Sequence, residues 1–170
     1  MKNVLLLTDF SKNAQNAIKY GLSLLKGERL NFTILYVRKV SGYLTGDLMA
    51  SRATSSVYDS LIKDPKGALQ RMIKKLNDDF KDQLYSFESI CDHDSFINSV
   101  EQVVRSKHID MIIMGTNGAT GAKEVIFGSN TIGIIRNINC PVLVVPEGFS
   151  YHSIKKVLFV SESDELRPLH

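Results

Sequence analysis

Five mostly apolar runs, separated by segments with helical periodicity, constrain the fold of this chain more than any other feature. The runs are rich in β-branched and large apolar residues, as strands in a parallel sheet are, and they cover residues 2–8, 30–37, 84–91, 109–114 and 141–145. Between them, apolar residues recur at three- and four-residue steps. This alternation predicts an α/β fold with one parallel sheet and helices on both of its faces.

Local signals mark where the helices begin. Ser11 is positioned to cap the first helix, and the pair Asp64-Pro65 is a typical start for the second. The third helix is expected to begin at Asp94 or Ser95, and the fourth covers about residues 129–137. Residues 38–63 are polar, small and irregular, which predicts a long loop whose role composition alone does not decide.

Composition and charge narrow the class of protein. The chain has 170 residues, of which 44% are hydrophobic and 23% charged, and a formal net charge of +3. These values fit one globular domain. No apolar run approaches the ~20 residues of a membrane helix, and Asp9 comes too early for a secretory signal, so we expect a cytoplasmic protein that does not bind membranes. Basic residues are scattered without interleaved aromatics, so nucleic acid is not an expected partner.

A cluster of glycines follows the fourth apolar run, with the spacing Gly115-x2-Gly118-x9-Gly128-Ser129. We expect Gly115 and Gly118 to free the backbone for conformations that a side chain forbids. Gly128 and Ser129 stand where a helix begins, so unpaired amides and the positive end of a helix dipole converge there. The spacing matches neither Gly-x-x-x-x-Gly-Lys-Ser/Thr nor Gly-x-Gly-x-x-Gly. The motif therefore predicts an anion site built from backbone groups.

This glycine spacing resembles the nucleotide-binding signature of the universal stress protein family. Residues 2–11, an apolar strand followed by an aspartate and a serine, resemble the opening of that family, and residues 139–146 resemble its closing strand. The likeness spans residues 1–147, which we take as one universal stress protein domain. It implies a five-stranded parallel sheet in the order 3-2-1-4-5, a Rossmann-like fold of the adenine nucleotide alpha hydrolase type. In that order Cys91 and Cys140 lie at opposite edges, which excludes a disulfide between them.

The resemblance also implies a ligand and the residues that contact it. The ligand is ATP, with AMP or ADP as alternatives and Mg²⁺ accompanying ATP. Asp9 approaches the nucleoside, and the backbone of Val37 borders the adenine. Thr8 and Met114 wall the same cleft. The ribose and phosphates are faced by the glycine motif and its neighbours, namely Gly115, Gly118, Gly128, Ser129 and Asn130.

Two functions from different classes remain open. The first is a stress-response module in which adenine-nucleotide occupancy biases conformation or association. The second is a nucleotide-free structural dimer or partner-docking module, in which the glycines persist only as turn geometry. Asn117, Ala119 and Asn130 keep this alternative open, because family members often carry histidine, arginine and a small aliphatic residue there. Neither is a dedicated enzyme, since no residue set for phosphoryl transfer is found, although slow ATP hydrolysis is compatible with the first.

The C-terminal residues repeat the beginning of the chain. Residues 155–162 match residues 2–9 in character at every position: basic, polar, four apolar, hydroxyl, acid. We therefore expect residues 148–170 to be a linker and the first strand of a truncated second repeat. The family's closing strand, here Pro141–Val145, implies a homodimer. The apolar strand at 157–160 is expected to join a sheet edge, its own or a partner's.

Overall fold

The computed structural model describes residues 2–38, 63–116 and 128–159 of the chain. Strands and helices alternate along these residues, and every predicted element up to residue 145 is present, with predicted bounds that differ from the observed ones by at most two residues. In chain order the elements are β1 (Lys2–Leu7), α1 (Lys12–Leu24), β2 (Leu30–Val37), α2 (Pro65–Asp79), β3 (Tyr85–Asp92), α3 (Phe96–Ser106), β4 (Met111–Gly115), α4 (Ser129–Asn137) and β5 (Val142–Val145). The predicted loop over 38–63 lies almost wholly outside the described residues, and so does Gly118.

The strands form one sheet in the order β3-β2-β1-β4-β5, and all neighbouring pairs are parallel. The predicted order 3-2-1-4-5 is therefore confirmed. β1 lies at the centre, with Leu7 opposite Leu35 of β2 and Leu6 opposite Ile113 of β4. β3 and β5 are the edge strands of this sheet, so Cys91 on β3 and Cys140 before β5 lie far apart and are free thiols. Burial raises the pKa of both thiols.

The predicted helix starts have the expected capping bonds. Ser11 Oγ accepts a hydrogen bond from the Ala14 N–H at 3.1 Å. Asp64 Oδ1 accepts one from the Gly67 N–H at 3.0 Å, with Pro65 in the first turn of α2. Ser95, rather than Asp94, caps α3 through its hydroxyl. Such caps stabilise a helix by about 0.5–2 kcal/mol each.

Two apolar layers enclose the sheet because side chains alternate along each strand. On β1, Leu6 faces the layer that contains α1 and α2, whereas Leu5 faces the layer that contains α3 and α4. Both leucines are fully buried. Burying a leucine side chain stabilises the fold by about 1.5–3 kcal/mol, so the central strand is the main anchor for both helical layers.

The C-terminal segment does not join this sheet. Residues 151–159 contain no strand, and Val157, Leu158 and Phe159 are 85%, 87% and 73% exposed. Among the described residues, 151–159 pair with no strand of the chain's own sheet, so the expectation that this segment adds to that sheet is not met there. Pairing with a partner's sheet stays a prediction. Across the three described ranges, no helix has the length and apolar character that crossing a membrane requires.

Candidate functional site

Three neighbouring strands, β2, β1 and β4, end side by side and form one rim of the sheet. β1 leads into Thr8 and Asp9, β2 ends at Val37, and β4 ends at Met114 and Gly115. After β1 the chain enters α1 on one face, whereas after β4 it enters α4 on the other face. This divergence is a topological switch point, the place where open α/β sheets leave a crevice.

The loop between β1 and α1 is held by its own side chains. Thr8 Oγ1 accepts a hydrogen bond from the Phe10 N–H at 3.0 Å, and Asp9 Oδ1 accepts one from the Ser11 N–H at 2.9 Å. Gln15 Nε2 donates to the Phe10 carbonyl oxygen at 2.9 Å. One oxygen of Asp9 thus caps the turn, the local role that an aspartate after a strand commonly has. Contact between Asp9 and a nucleoside remains a prediction.

Phe10 adopts a conformation that the sequence does not predict. Its φ is 65°, in the left-handed region, which costs a non-glycine residue about 1–3 kcal/mol. The ring is buried and packs on Tyr36 with 4.8 Å between ring centroids. Burial of the ring and the hydrogen bonds of the loop offset the backbone strain. The loop therefore holds Asp9 in one defined position at the rim.

Gly115 is required for a reason other than the expected one. Its φ is not positive, so the expectation that it adopts a conformation forbidden to side chains is wrong. A Cβ added there would lie 2.9 Å from Asn13 Nδ2 and 3.0 Å from Asn13 Cγ. The Asn13 amide, 4% exposed, occupies the space that a side chain at residue 115 would need. Gly115 thus lets a buried polar group of α1 pack directly against the end of β4.

Asn13 is therefore a rim residue that the sequence reasoning missed. A signal was present, because Asn13 occupies the buried face of α1 beside Ala14 and Ala17, where an amide is unusual. A buried amide needs hydrogen-bonding partners. Its position between α1 and the end of β4 puts a polar group beneath the crevice.

The N-terminus of α4 is fastened to the end of β4 through Thr116. The Gly128 N–H donates to the Thr116 carbonyl oxygen at 3.1 Å, and Thr131 Oγ1 donates to the same oxygen at 3.0 Å. The Thr116 N–H in turn donates to the Val145 carbonyl oxygen at 3.2 Å. Thr116 and Thr131 are further residues that the glycine spacing did not indicate. The Gly128 amide is already engaged, so it is not one of the donors that α4 offers to a ligand.

The following turn of α4 has the properties of an anion site. The first N–H groups of a helix have no acceptor within the helix, and the helix dipole makes that end positive. Ser129 and Asn130 occupy this turn and are exposed. Gly128, at the N-cap position, contributes no side-chain cap. The turn therefore presents backbone donors and polar side chains beside the switch point.

The two residues predicted to wall the cleft, Thr8 and Met114, have buried side chains. Met114 is 5% exposed and packs in the layer of α3 and α4, so it offers the rim its backbone rather than its side chain. Thr8 is also buried, and its hydroxyl accepts the Phe10 N–H. Val37 is half-buried at the end of β2 and borders the rim. Of the predicted site, the structure brings together the ends of β1, β2 and β4 and the start of α4.

Carboxylates and histidines do not cluster at this rim. Within residues 2–38, 63–116 and 128–159, no group of three or more His, Cys, Asp or Glu side chains is arranged to hold a metal ion. On the next strand, Asp92 Oδ1 accepts a hydrogen bond from the His93 N–H at 2.7 Å, which holds the pKa of that carboxyl below its usual value. Apart from the Asp9 carboxylate, the part of the rim that the structure describes therefore consists of backbone groups and neutral side chains.

The sheet order and this rim define an α/β protein of the Rossmann-like class. The model of the universal stress protein family matches residues 1–146. The chain belongs to that family, as the resemblance in its sequence implied.

Two relatives from Methanocaldococcus jannaschii illustrate the extent of the likeness. Universal stress protein MJ0531 is 25% identical over 146 residues, 85% of this chain and 81% of that protein. Universal stress protein MJ0577 is 28% identical over 159 residues, 85% of this chain and 94% of that protein. A solved structure of MJ0577 superposes with a TM-score of 0.60 at 23% identity, covering 88% of this chain and 98% of the other.

Two further solved relatives carry nucleotides. A family protein from Arabidopsis thaliana with AMP bound has a TM-score of 0.55 at 11% identity, covering 86% of this chain and 92% of that chain. A universal stress protein in complex with cAMP has a TM-score of 0.52 at 15% identity, covering 85% of this chain and 96% of that chain. At these identities the likeness shows the shared fold.

Proposed function

We propose that this chain is an adenine-nucleotide-binding module of the stress response, acting by binding and association rather than by turnover. The observation that carries the proposal is the fastening of the α4 N-terminus to the end of β4 through Thr116. This contact ties a positive helix end to β4, and β4 is the neighbour of β1, the strand that leads into the Asp9 loop. The two nucleotide-bound relatives support the same class of ligand.

The phosphate half of the proposed site depends on several amides acting together. An anion at a helix N-terminus gains only about 0.3–2 kcal/mol from the dipole, so one helix end is insufficient. We propose that the first turn of α4, with Ser129 and Asn130, acts with the glycine loop that contains Gly118. Because Asn117 and Ala119 supply no cation, affinity should depend only weakly on the number of phosphates, so that AMP and ADP compete with ATP.

The nucleoside half lies across the rim. Asp9 follows β1 and Val37 ends β2, and these two strands are hydrogen-bonded neighbours. The Asp9 carboxylate can accept a hydrogen bond from a ribose hydroxyl, and the backbone at Val37 can contact the edge of the adenine. The Asp9 Oδ1 bond to the Ser11 N–H orients the carboxylate before any ligand arrives.

Isothermal titration calorimetry with ATP tests this proposal through two glycines. Gly118→Val and Gly128→Val should each abolish detectable binding by filling the anion path. Gly128 has φ −64° and ψ 160°, which any residue adopts, so its valine variant acts sterically rather than through backbone strain. Leu84→Val, at a 61% exposed residue just before β3 and at the opposite end of the sheet, is the control and should bind like wild type.

Two results would overturn the proposal. If wild type and both rim variants bind equally, the site is misplaced; if wild type binds no nucleotide at millimolar ATP, the nucleotide-free docking module is correct. That alternative is favoured by one observation, since the Gly128 N–H and the Thr8 hydroxyl are both already engaged within the protein. Phosphate release at several turnovers per minute, lost in Asp9→Ala, would instead make the protein an ATPase.

Association through β5 is the second part of the proposal. The Ile112 and Thr116 N–H groups donate to the carbonyl oxygens of Pro141 and Val145, so alternate residues of β5 bond to β4 and the Val144 N–H points outward. We propose that this edge pairs with the same strand of a second copy in a cytoplasmic homodimer. Val144→Pro removes an outward donor and should shift the protein towards monomer in sedimentation equilibrium at tens of micromolar. A monomeric wild type would contradict this part.

A further inference from the structure

A cavity between α1 and α2 borders the β1–α1 loop through Phe10, but its lining includes neither Asp9 nor the start of α4. It has a volume of about 200 Å³. Its apolar wall consists of the buried side chains of Phe10, Ile18, Ala68 and Leu76 and the half-buried Met72. An apolar space of this size between two helices can hold a hydrocarbon group, since an engineered cavity of about 150 Å³ binds benzene.

The mouth of the cavity is cationic. Its polar lining residues are all exposed, and three are cations against one acid: Gln15, Lys19, Arg71, Lys75 and Asp79. Arg71 also lies 3.6 Å from Asp64, but both side chains are more than 60% exposed, so this ion pair holds the guanidinium only weakly. The cations are therefore able to turn towards a negative group at the mouth.

We propose that this cavity binds a small amphipathic anion, a single alkyl chain of about six to eight carbons that ends in a carboxylate. The alkyl chain contacts the apolar wall, and the carboxylate lies at the mouth beside Lys19, Arg71 and Lys75. An uncharged apolar ligand would gain no attraction from the cations at the mouth. A purely ionic ligand would leave the apolar wall unfilled. The two halves of the lining together specify an amphipathic ligand.

Titration of the full chain with sodium octanoate, followed by amide NMR, tests this inference. We expect saturable shifts at the amides of Ile18, Ala68 and Met72. Acetate, which has the head group alone, should cause none. Octylamine, which has the same chain with a cationic head, should bind at least threefold more weakly, because the mouth repels it. Absence of saturable shifts with octanoate, or equal affinity for octylamine, would overturn the inference.

Two variants separate the charge from the cavity. Lys75→Glu should weaken octanoate binding by about threefold to tenfold, whereas Lys74→Glu, the same charge change one residue outside the lining, should leave it unchanged. Ala68→Leu should abolish binding by filling the cavity. Equal effects of the two lysine variants would overturn the assignment, and the exposed lysines keep the test valid even if Ala68→Leu does not fold.

A titration repeated with saturating ATP separates this cavity from the rim. Octanoate affinity should be unchanged, because the cavity shares no lining residue with the proposed nucleotide site, even though Phe10 adjoins Asp9. Displacement of octanoate by ATP would mean that its carboxylate occupies the rim, and the inference would then be wrong.

Discussion

Residues 2–7 and residues 155–159 have nearly the same apolar pattern, and the structure treats them in opposite ways. The first segment is the central strand, with Leu5 and Leu6 fully buried. The second has no strand, and Leu158 is 87% exposed. The difference lies in the neighbours, since β1 is paired on both sides and covered by helices on both faces. A strand-forming pattern becomes a strand only where other elements bury it.

The largest expected effect compares one leucine from each segment. Leu6→Ala should lower the free energy of unfolding by about 2–5 kcal/mol, because it leaves a cavity in the core. Leu158→Ala should change the free energy of unfolding by less than about 0.5 kcal/mol, as substitutions at exposed sites do. Urea unfolding of both variants measures the contrast. A cost for Leu158→Ala close to that of Leu6→Ala would show that the C-terminal segment is packed in solution.

A second prediction concerns the packing at the end of β4, the strand beside β1, which residues 155–159 lack. Gly115→Ala should destabilise the protein by about 1–3 kcal/mol, because the new Cβ overlaps the Asn13 amide. Adding Asn13→Ala should recover part of that loss, so the double variant is more stable than the sum of the single effects. Thermal unfolding of the four proteins gives the coupling. Strict additivity would mean that Asn13 is not what excludes a side chain at residue 115.

The smallest expected effect concerns the exposed edge of the same sheet. Although partial burial raises the pKa of Glu88, hydrogen bonds from Thr33 and Lys107 bring it below the usual value. A lowered carboxyl pKa adds stability that is present above about pH 4.3, the unfolded value, and is lost as the pH falls through the folded pKa.

Lys107→Ala removes the exposed ion pair with Glu88, and its effect can be compared with those of the buried substitutions at Leu6 and Gly115. It should raise the pKa of Glu88 and reduce stability at neutral pH by less than about 1 kcal/mol. The difference from wild type should vanish when the pH is below the folded pKa. Carboxyl titration by NMR and urea unfolding at both pH values measure this. An unchanged pKa of Glu88 would show that Lys107 does not act on it in solution.

The sequence predicted the strands and helices well because their signals are local. The period of apolar residues set the elements, and Ser11 and the Asp64-Pro65 pair marked helix starts. The role of Gly115 was mispredicted because it depends on Asn13, a residue of another element that only the fold brings near. Phe10 was missed because nothing in a phenylalanine side chain favours a positive φ. Residues 157–159 show that a strand-like apolar pattern does not form a strand where no described element packs against it.

The central claim is that the β1 copy of the repeated pattern leads into a nucleotide site and the C-terminal copy does not. Amide NMR of the full chain during an ATP titration tests it most directly. We predict saturable shifts at Asp9, Val37, Gly115 and Ser129, with no shift at residues 157–159. Absence of saturable shifts at the first four amides, or shifts confined to the C-terminal segment, would contradict the account.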